Sequence, residues 1–256
     1  MDDHRIWPRL QKAWQRRAAR WFGRRPFVLP AGRAIVSFTF DDFPRSALLA
    51  GGGILERSNV AGTYFASLGL AGQTTRAGEI FQLPDLPLLM SRGHELGCHT
   101  YDHCPAWETA PAAFEASIIR NAETLRRLVP GAEFRTLSYP IDNPRPETKR
   151  RSARYFACAR GGGQTFNAGC VDLNYLAAFF LEQSRDRPAA IEQVIDANRR
   201  AGGWLILATH DVAERPTRFG CTPELFEHVV DHAVKSGAEI LPVYRAWERI
   251  QSRNGG

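Results

Sequence analysis

Residues 33–42 read RAIVSFTFDD, a β-branched and aromatic run that ends on two adjacent carboxylates, Asp41 and Asp42. Such a run is the pattern of a strand buried in a sheet, and it delivers two like charges to the strand's end. Carboxylates that close repel, and in a low-dielectric setting one is driven toward its protonated form unless a cation stands beside it. The rest of the chain is therefore searched for that cation or its ligands.

Working outward, further apolar runs suited to strands lie at 61–67, 94–100, 134–140, 155–161, 204–210 and 238–244. Between them, segments near 45–57, 84–92, 108–128, 146–153, 188–200 and 222–236 follow the 3.6-residue helical period. Alternating β and α predicts parallel strands joined by crossover helices, in an open sheet or a barrel. Polar residues fall where those strands end: Asp41 and Asp42 after the first, His99 and His103 after the third, His210 after WLILAT. Side chains gathered at the C-terminal ends of several strands are how such folds assemble a site. One Asp and two His make a three-ligand set with an open position, with donors suited to zinc or a similar divalent ion.

The chain has 256 residues and is 44% apolar, enough for one large α/β domain. Five cysteines with no CxxC pair suit a reduced compartment, and no membrane span or signal peptide is read, so a cytosolic protein is expected. Of 33 basic and 27 acidic residues, residues 1–25 hold eight and two, which leaves 25 of each in the body. The charge excess of +6 thus belongs to one segment, which argues against a nucleic-acid partner. That segment, 1–30, is read apart from a 31–256 catalytic domain. In it Trp7, Leu10, Trp14 and Trp21 recur at helical spacing among arginines. A basic amphipathic helix of this kind suits peripheral contact of residues 5–25 with the inner face of a membrane, and a helix packed on its own domain gives the same pattern.

Other candidates read as structural. His228 and His232 sit on the polar side of a helix, HELGCH lacks the spacing of a zincin, and Cys98 points away from the face of His99.

TFDD (39–42), GHELGCHTYDH (93–103) and LILATH (205–210), in that order, resemble the metal-dependent polysaccharide deacetylases, among them chitin, peptidoglycan and nodulation-factor deacetylases. The resemblance implies a distorted (β/α) barrel of about seven parallel strands. It implies Asp42, His99 and His103 as ligands of one divalent ion, zinc by preference, Asp41 as general base and His210 as general acid. Substrate contacts are expected from Tyr101, Tyr139 and the backbone N–H of Ile141. Two family features are missing: Ser138 stands where an arginine is usual, and no Asp-xx-Asp-Trp run is visible. Arg135 and Asp172 are the candidate substitutes, Arg135 toward Asp41 or else a surface charge, Asp172 toward His210 or else an ordinary helix cap. The activity implied is removal of an N-acetyl group from an amino sugar in a saccharide. An O-acetyl esterase, a non-sugar amidase, or a non-catalytic glycan-binding protein on the same fold are the alternatives.

Overall fold

In the computed structural model the backbone is described for residues 3–141 and 143–254, and side chains for residues 11–141 and 143–254. Seven strands run parallel in the order Phe179–Phe180, Trp204–Thr209, Ile35–Phe40, Thr63–Ala66, Glu95–Cys98, Thr136–Ser138, Cys158–Arg160. Glu239–Ile240 adds an eighth, paired with Ile35 and Val36 below the point where Thr63–Ala66 takes over the same edge. Leu176 bridges Arg160 in parallel, so the chain leading into Phe179–Phe180 carries the ring back toward Trp204–Thr209. The result is a distorted (β/α) barrel.

The six residues Ile35–Phe40 are all buried, as a strand with neighbours on both edges and packed layers on both faces must be. Alternate side chains divide between two layers. Val36, Phe38 and Phe40 join the core beneath the surrounding helices, whereas Ile35 joins Trp204, Ile206 and Trp247 in a second cluster. The helix Val243–Asn254 contributes Val243, Ala246, Trp247 and Ile250 to that second cluster, and the Val243 N–H donates to Thr63 Oγ1 at 2.8 Å. This plugs the mouth at the strands' N-terminal ends and leaves the opposite mouth open.

One expectation is corrected here. The strand expected over 238–244 is only Glu239–Ile240, because Pro242 cannot extend a ladder but does suit the entry of a helix. The strand Phe179–Phe180 has two residues, too few to show a period in the sequence.

A helix spans Asp3–Trp21, and its buried side is small. Ala18 and Ala19 are buried with Gln15, while Trp14 and Trp21 are 59% and 64% exposed. Small residues permit close approach of the helix to the barrel, so the tryptophan side is the one left outside. Trp7 and Leu10, expected with Trp14 and Trp21, have side chains outside the described residues. At the helix's C-terminus the buried Lys149 ammonium donates to the carbonyls of Ala19 (2.6 Å) and Phe22 (2.9 Å) and pairs with Asp172 at 2.6 Å. A cation there satisfies the last carbonyls and complements the helix dipole. Just beyond, Pro26–Val28 pairs antiparallel with Cys170–Asp172, so the basic segment is tied to the barrel at two points. Among the described residues no helix is long and apolar enough to cross a membrane.

Candidate active site

The open mouth of the barrel is where the charged ends of the strands converge. Asp41 immediately follows Phe40, and its N–H donates to Thr209 O at 2.9 Å, which ties the end of this strand to the residue before His210. Asp42 and Phe43 both take positive φ, 60° and 51°, turning the chain sharply. Left-handed backbone at a bulky residue is costly, and here Phe43 is held by stacking on Phe81 with ring centroids 4.7 Å apart. The histidines converge by a similar device. His99 ends its strand, Thr100 and His103 take φ of 58° and 53°, and Thr100 Oγ1 accepts from Cys104 N at 2.9 Å. HTYDH is therefore a strand end curling into a loop, not a helical turn.

Asp42 Oδ1 lies 2.9 Å from His103 Nε2 and 3.3 Å from His99 Nε2. His99 Nδ1 lies 2.8 Å from the carbonyl oxygen of Ser138, which can only accept, so Nδ1 carries a proton and Nε2 of the neutral ring presents a lone pair. Asp42 Oδ1 is buried and has no aligned donor among the described residues. Three lone-pair donors thus face one point, an arrangement that a divalent ion satisfies and that these residues fit. Burial pushes the Asp42 carboxyl up; with no ion bound, hydrogen bonds and charge from protonated His103 and His99 more than reverse this and hold it well below the usual range.

Asp41 has a different environment. Arg160 Nη2 donates to its Oδ1, and Ser138 Oγ donates to the same oxygen at 3.1 Å. Burial again pushes the carboxyl up, and Arg160, with His99 and His210, holds it below its ordinary value. The Arg160 guanidinium is itself buried, with its Cζ 5.2 Å from the Phe65 ring and 5.4 Å from that of Phe180. His210 shares this cleft. Its Nδ1 is buried without a partner among the described residues, its ring lies 5.2 Å from that of Phe219, and burial lowers its pKa. Ile141 and Tyr139 also line the cleft. Ile141 has φ of 62°, rare for a β-branched residue, and its N–H has no partner among the described residues.

Three expected residues are not brought to the site. Tyr101 lies outside the cleft lining, with its ring under Arg120 at 3.8 Å. Arg135 is at the surface, paired with Glu133 at 2.7 Å, because it precedes its strand and not the strand's C-terminal end. Asp172 pairs with Lys149 and accepts from the N–H groups of Arg25 (2.9 Å) and Asn174 (3.0 Å), with no contact to His210 among the described residues. It holds the basic segment in place. The residue that reaches Asp41 is Arg160, and its signal was present: YFACAR ends in a charge, as the other site strands do. Glu182, just after Phe179–Phe180, also lines the cleft, and burial raises its carboxyl to about 7. The surface histidines behave as read, with His228 on Glu192 (2.7 Å) and His232 on Asp196 (3.2 Å).

A family model described as polysaccharide deacetylase matches residues 29–156, half the chain. The chain belongs to the polysaccharide deacetylase family. No curated protein sequence matches it. Solved structures of the same fold include a CE4 family pseudoenzyme from Bacillus anthracis, with TM-score 0.59 and 12% identity over 85% of this chain and 66% of that one. The peptidoglycan deacetylase PdaC from Bacillus subtilis is similar at TM-score 0.55 and 14% identity, over 88% and 94% of the two chains. A family 4 acetyl xylan esterase from Clostridium thermocellum, in complex with a cobalt ion, is similar at TM-score 0.53 and 18% identity, over 82% and 89%. The family model ends before Arg160 and His210, which the geometry of the cleft brings together with Asp41.

Proposed function

We infer that this chain is a metal-dependent hydrolase that removes an N-acetyl group from an amino sugar within a saccharide. The observation that carries the reading is the different surroundings of two adjacent aspartates, Asp42 facing two imidazoles and Asp41 facing an arginine and a serine, with His210 in the same cleft. A divalent ion held by Asp42, His99 and His103, zinc by the donor set, supplies Lewis-acid polarisation of a carbonyl and acidifies water. Asp41, ionised and fixed by Arg160, takes the proton of the attacking water. The backbone N–H of Ile141 donates to the carbonyl oxygen as charge develops on it. His210 delivers a proton to the departing amine, which is a poor leaving group without it.

A second reading, cleavage of an O-acetyl ester, is favoured by one feature: burial lowers the pKa of His210 and so reduces its protonated fraction at neutral pH, and an alkoxide needs that proton less than an amine does. Acetate release from N-acetylated chitooligosaccharides and from acetylated xylan, each with and without a chelator, separates the two. Chelator-sensitive release from the amide substrate is expected; release from the ester alone moves the assignment to an esterase.

A further inference from the structure

The open cleft is a cavity of about 790 Å³, large enough for a small saccharide, and its rim carries a charge excess that acetyl removal does not use. Lys12 and Arg16, one helical turn apart on the segment Asp3–Trp21, form one wall. Arg76, between the short strands Thr74–Thr75 and Gly78–Glu79, and Arg218, in the loop after Trp204–Thr209, form others. The Arg218 guanidinium lies over Phe219 at 4.5 Å, and Phe219 is the ring beside His210, so this cation is aimed at the reacting end of the cleft. None of the four pairs with a carboxylate among the described residues, and what sets them apart from other unpaired surface arginines is that all four line one cavity.

Among the described residues, the carboxylates of the cleft do not offset this excess. Asp41 is taken by Arg160, Asp42 stands between the imidazoles, and Glu182 is raised to about 7 by burial. A divalent ion adds further positive charge. Four cations around one cavity, unpaired among the described residues, repel one another, and low-dielectric walls focus their field on whatever enters.

We propose that the cleft selects an acylated sugar that itself carries an anion, a phosphate or a carboxylate, which Lys12, Arg16, Arg76 and Arg218 bind at the rim. The proposal rests on the deacetylase reading for the acylated sugar, and on the charge distribution for the anion. Charge-assisted hydrogen bonds from guanidinium groups are the strong class of polar contact, and phosphate and carboxylate match their geometry. The N-terminal helix then forms part of the substrate site.

The test is equilibrium binding by calorimetry to the metal-loaded full chain, with four probes: N-acetylglucosamine 1-phosphate, N-acetylglucosaminuronic acid, neutral tri-N-acetylchitotriose and inorganic phosphate. Binding of one of the charged sugars at least tenfold tighter than the neutral one is expected, with the advantage shrinking as salt rises. The advantage should fall at least fivefold in Lys12→Ser/Arg16→Ser and in Arg76→Ser/Arg218→Ser, each with unchanged metal content, which separates the rim from direct anion binding to the metal. The two charged sugars tell phosphate from carboxylate. Equal binding of neutral and charged sugars, inorganic phosphate binding as tightly as the sugar phosphate, or an advantage intact in both variant pairs overturns the proposal. Turnover is not part of this readout. Tight charged-sugar binding without acetate release sinks the deacetylase reading and leaves the anion preference standing.

Discussion

Ser138 and Arg160 stand opposite each other in register on adjacent parallel strands, and both donate to the same oxygen of Asp41. Position 138 is where the family usually carries an arginine. Side chains at paired positions of neighbouring strands project to the same side, so an arginine one strand over reaches the same carboxylate.

Arg160→Ser should leave Asp41 buried without its counter-ion, at a cost of about 3–5 kcal/mol in stability. Turnover should fall on the order of 10²-fold as the base loses its fixed orientation and its ionised state. The exchange Ser138→Arg/Arg160→Ser returns the guanidinium from the other strand and should recover at least tenfold over the single variant. Steady-state rates and urea midpoints check this; an exchange no better than the single variant would show that only strand 158–160 can hold the arginine.

Asp41→Asn and Asp42→Asn are the same chemical change one residue apart, and they should behave differently. Asp42→Asn removes the negative donor between the imidazoles and should lose bound metal, with activity partly restored by excess ion. Asp41→Asn should keep near-stoichiometric metal and lose on the order of 10²–10⁴ in turnover without rescue. Elemental analysis beside the rates decides it, and the reverse pattern would exchange the two roles.

Lys149→Met should loosen the N-terminal helix. It removes the donor to Ala19 and Phe22 and leaves Asp172 buried without its ammonium, a loss of about 3–5 kcal/mol. Amide exchange over residues 11–21 should speed up while exchange in Ile35–Phe40 stays slow under native conditions. Unchanged exchange in the helix would mean that Ala18 and Ala19 dock it without help. Because Lys12 and Arg16 line the cleft, substrate KM should rise more than kcat falls.

Glu95 supplies a pH test remote from the site. The residue is half-buried, its carboxylate accepts from Thr136 Oγ1 at 2.7 Å and Tyr244 N at 2.7 Å, and desolvation of the carboxyl raises it from an ordinary 4.5 to about 7. The folded state therefore holds this proton more tightly than the unfolded chain. Its stabilising contribution is full below pH 4.5 and is lost as pH rises through about 7, up to about 3 kcal/mol. Glu95→Gln, neutral throughout, should flatten the stability profile across that window. Urea midpoints at pH 5 and 8 that differ as much in the variant as in the parent would assign the dependence to other groups.

How much of this was legible in the chain depends on whether each feature is local. The buried strand 35–40, the alternation of strands with helices, and Asp41, Asp42, His99, His103 and His210 at strand ends follow from periodicity and from the position of charges relative to apolar runs. Those properties are written along the chain, because a strand's burial and its end are set by its own residues. Arg160, the displacement of Arg135 and Asp172 from the site, and the docking of the basic helix through Lys149 depend on which strands lie side by side and in what register. Register between segments far apart in sequence is a tertiary property, and a charged side chain several bonds long bridges to whichever neighbour that register supplies. The sequence by itself determined the alternation of strands with helices and the charged residues at the strand ends; only the tertiary structure decided that the strands close into a barrel, which arginine serves Asp41, and that Lys12 and Arg16 of the basic segment form a wall of the cleft.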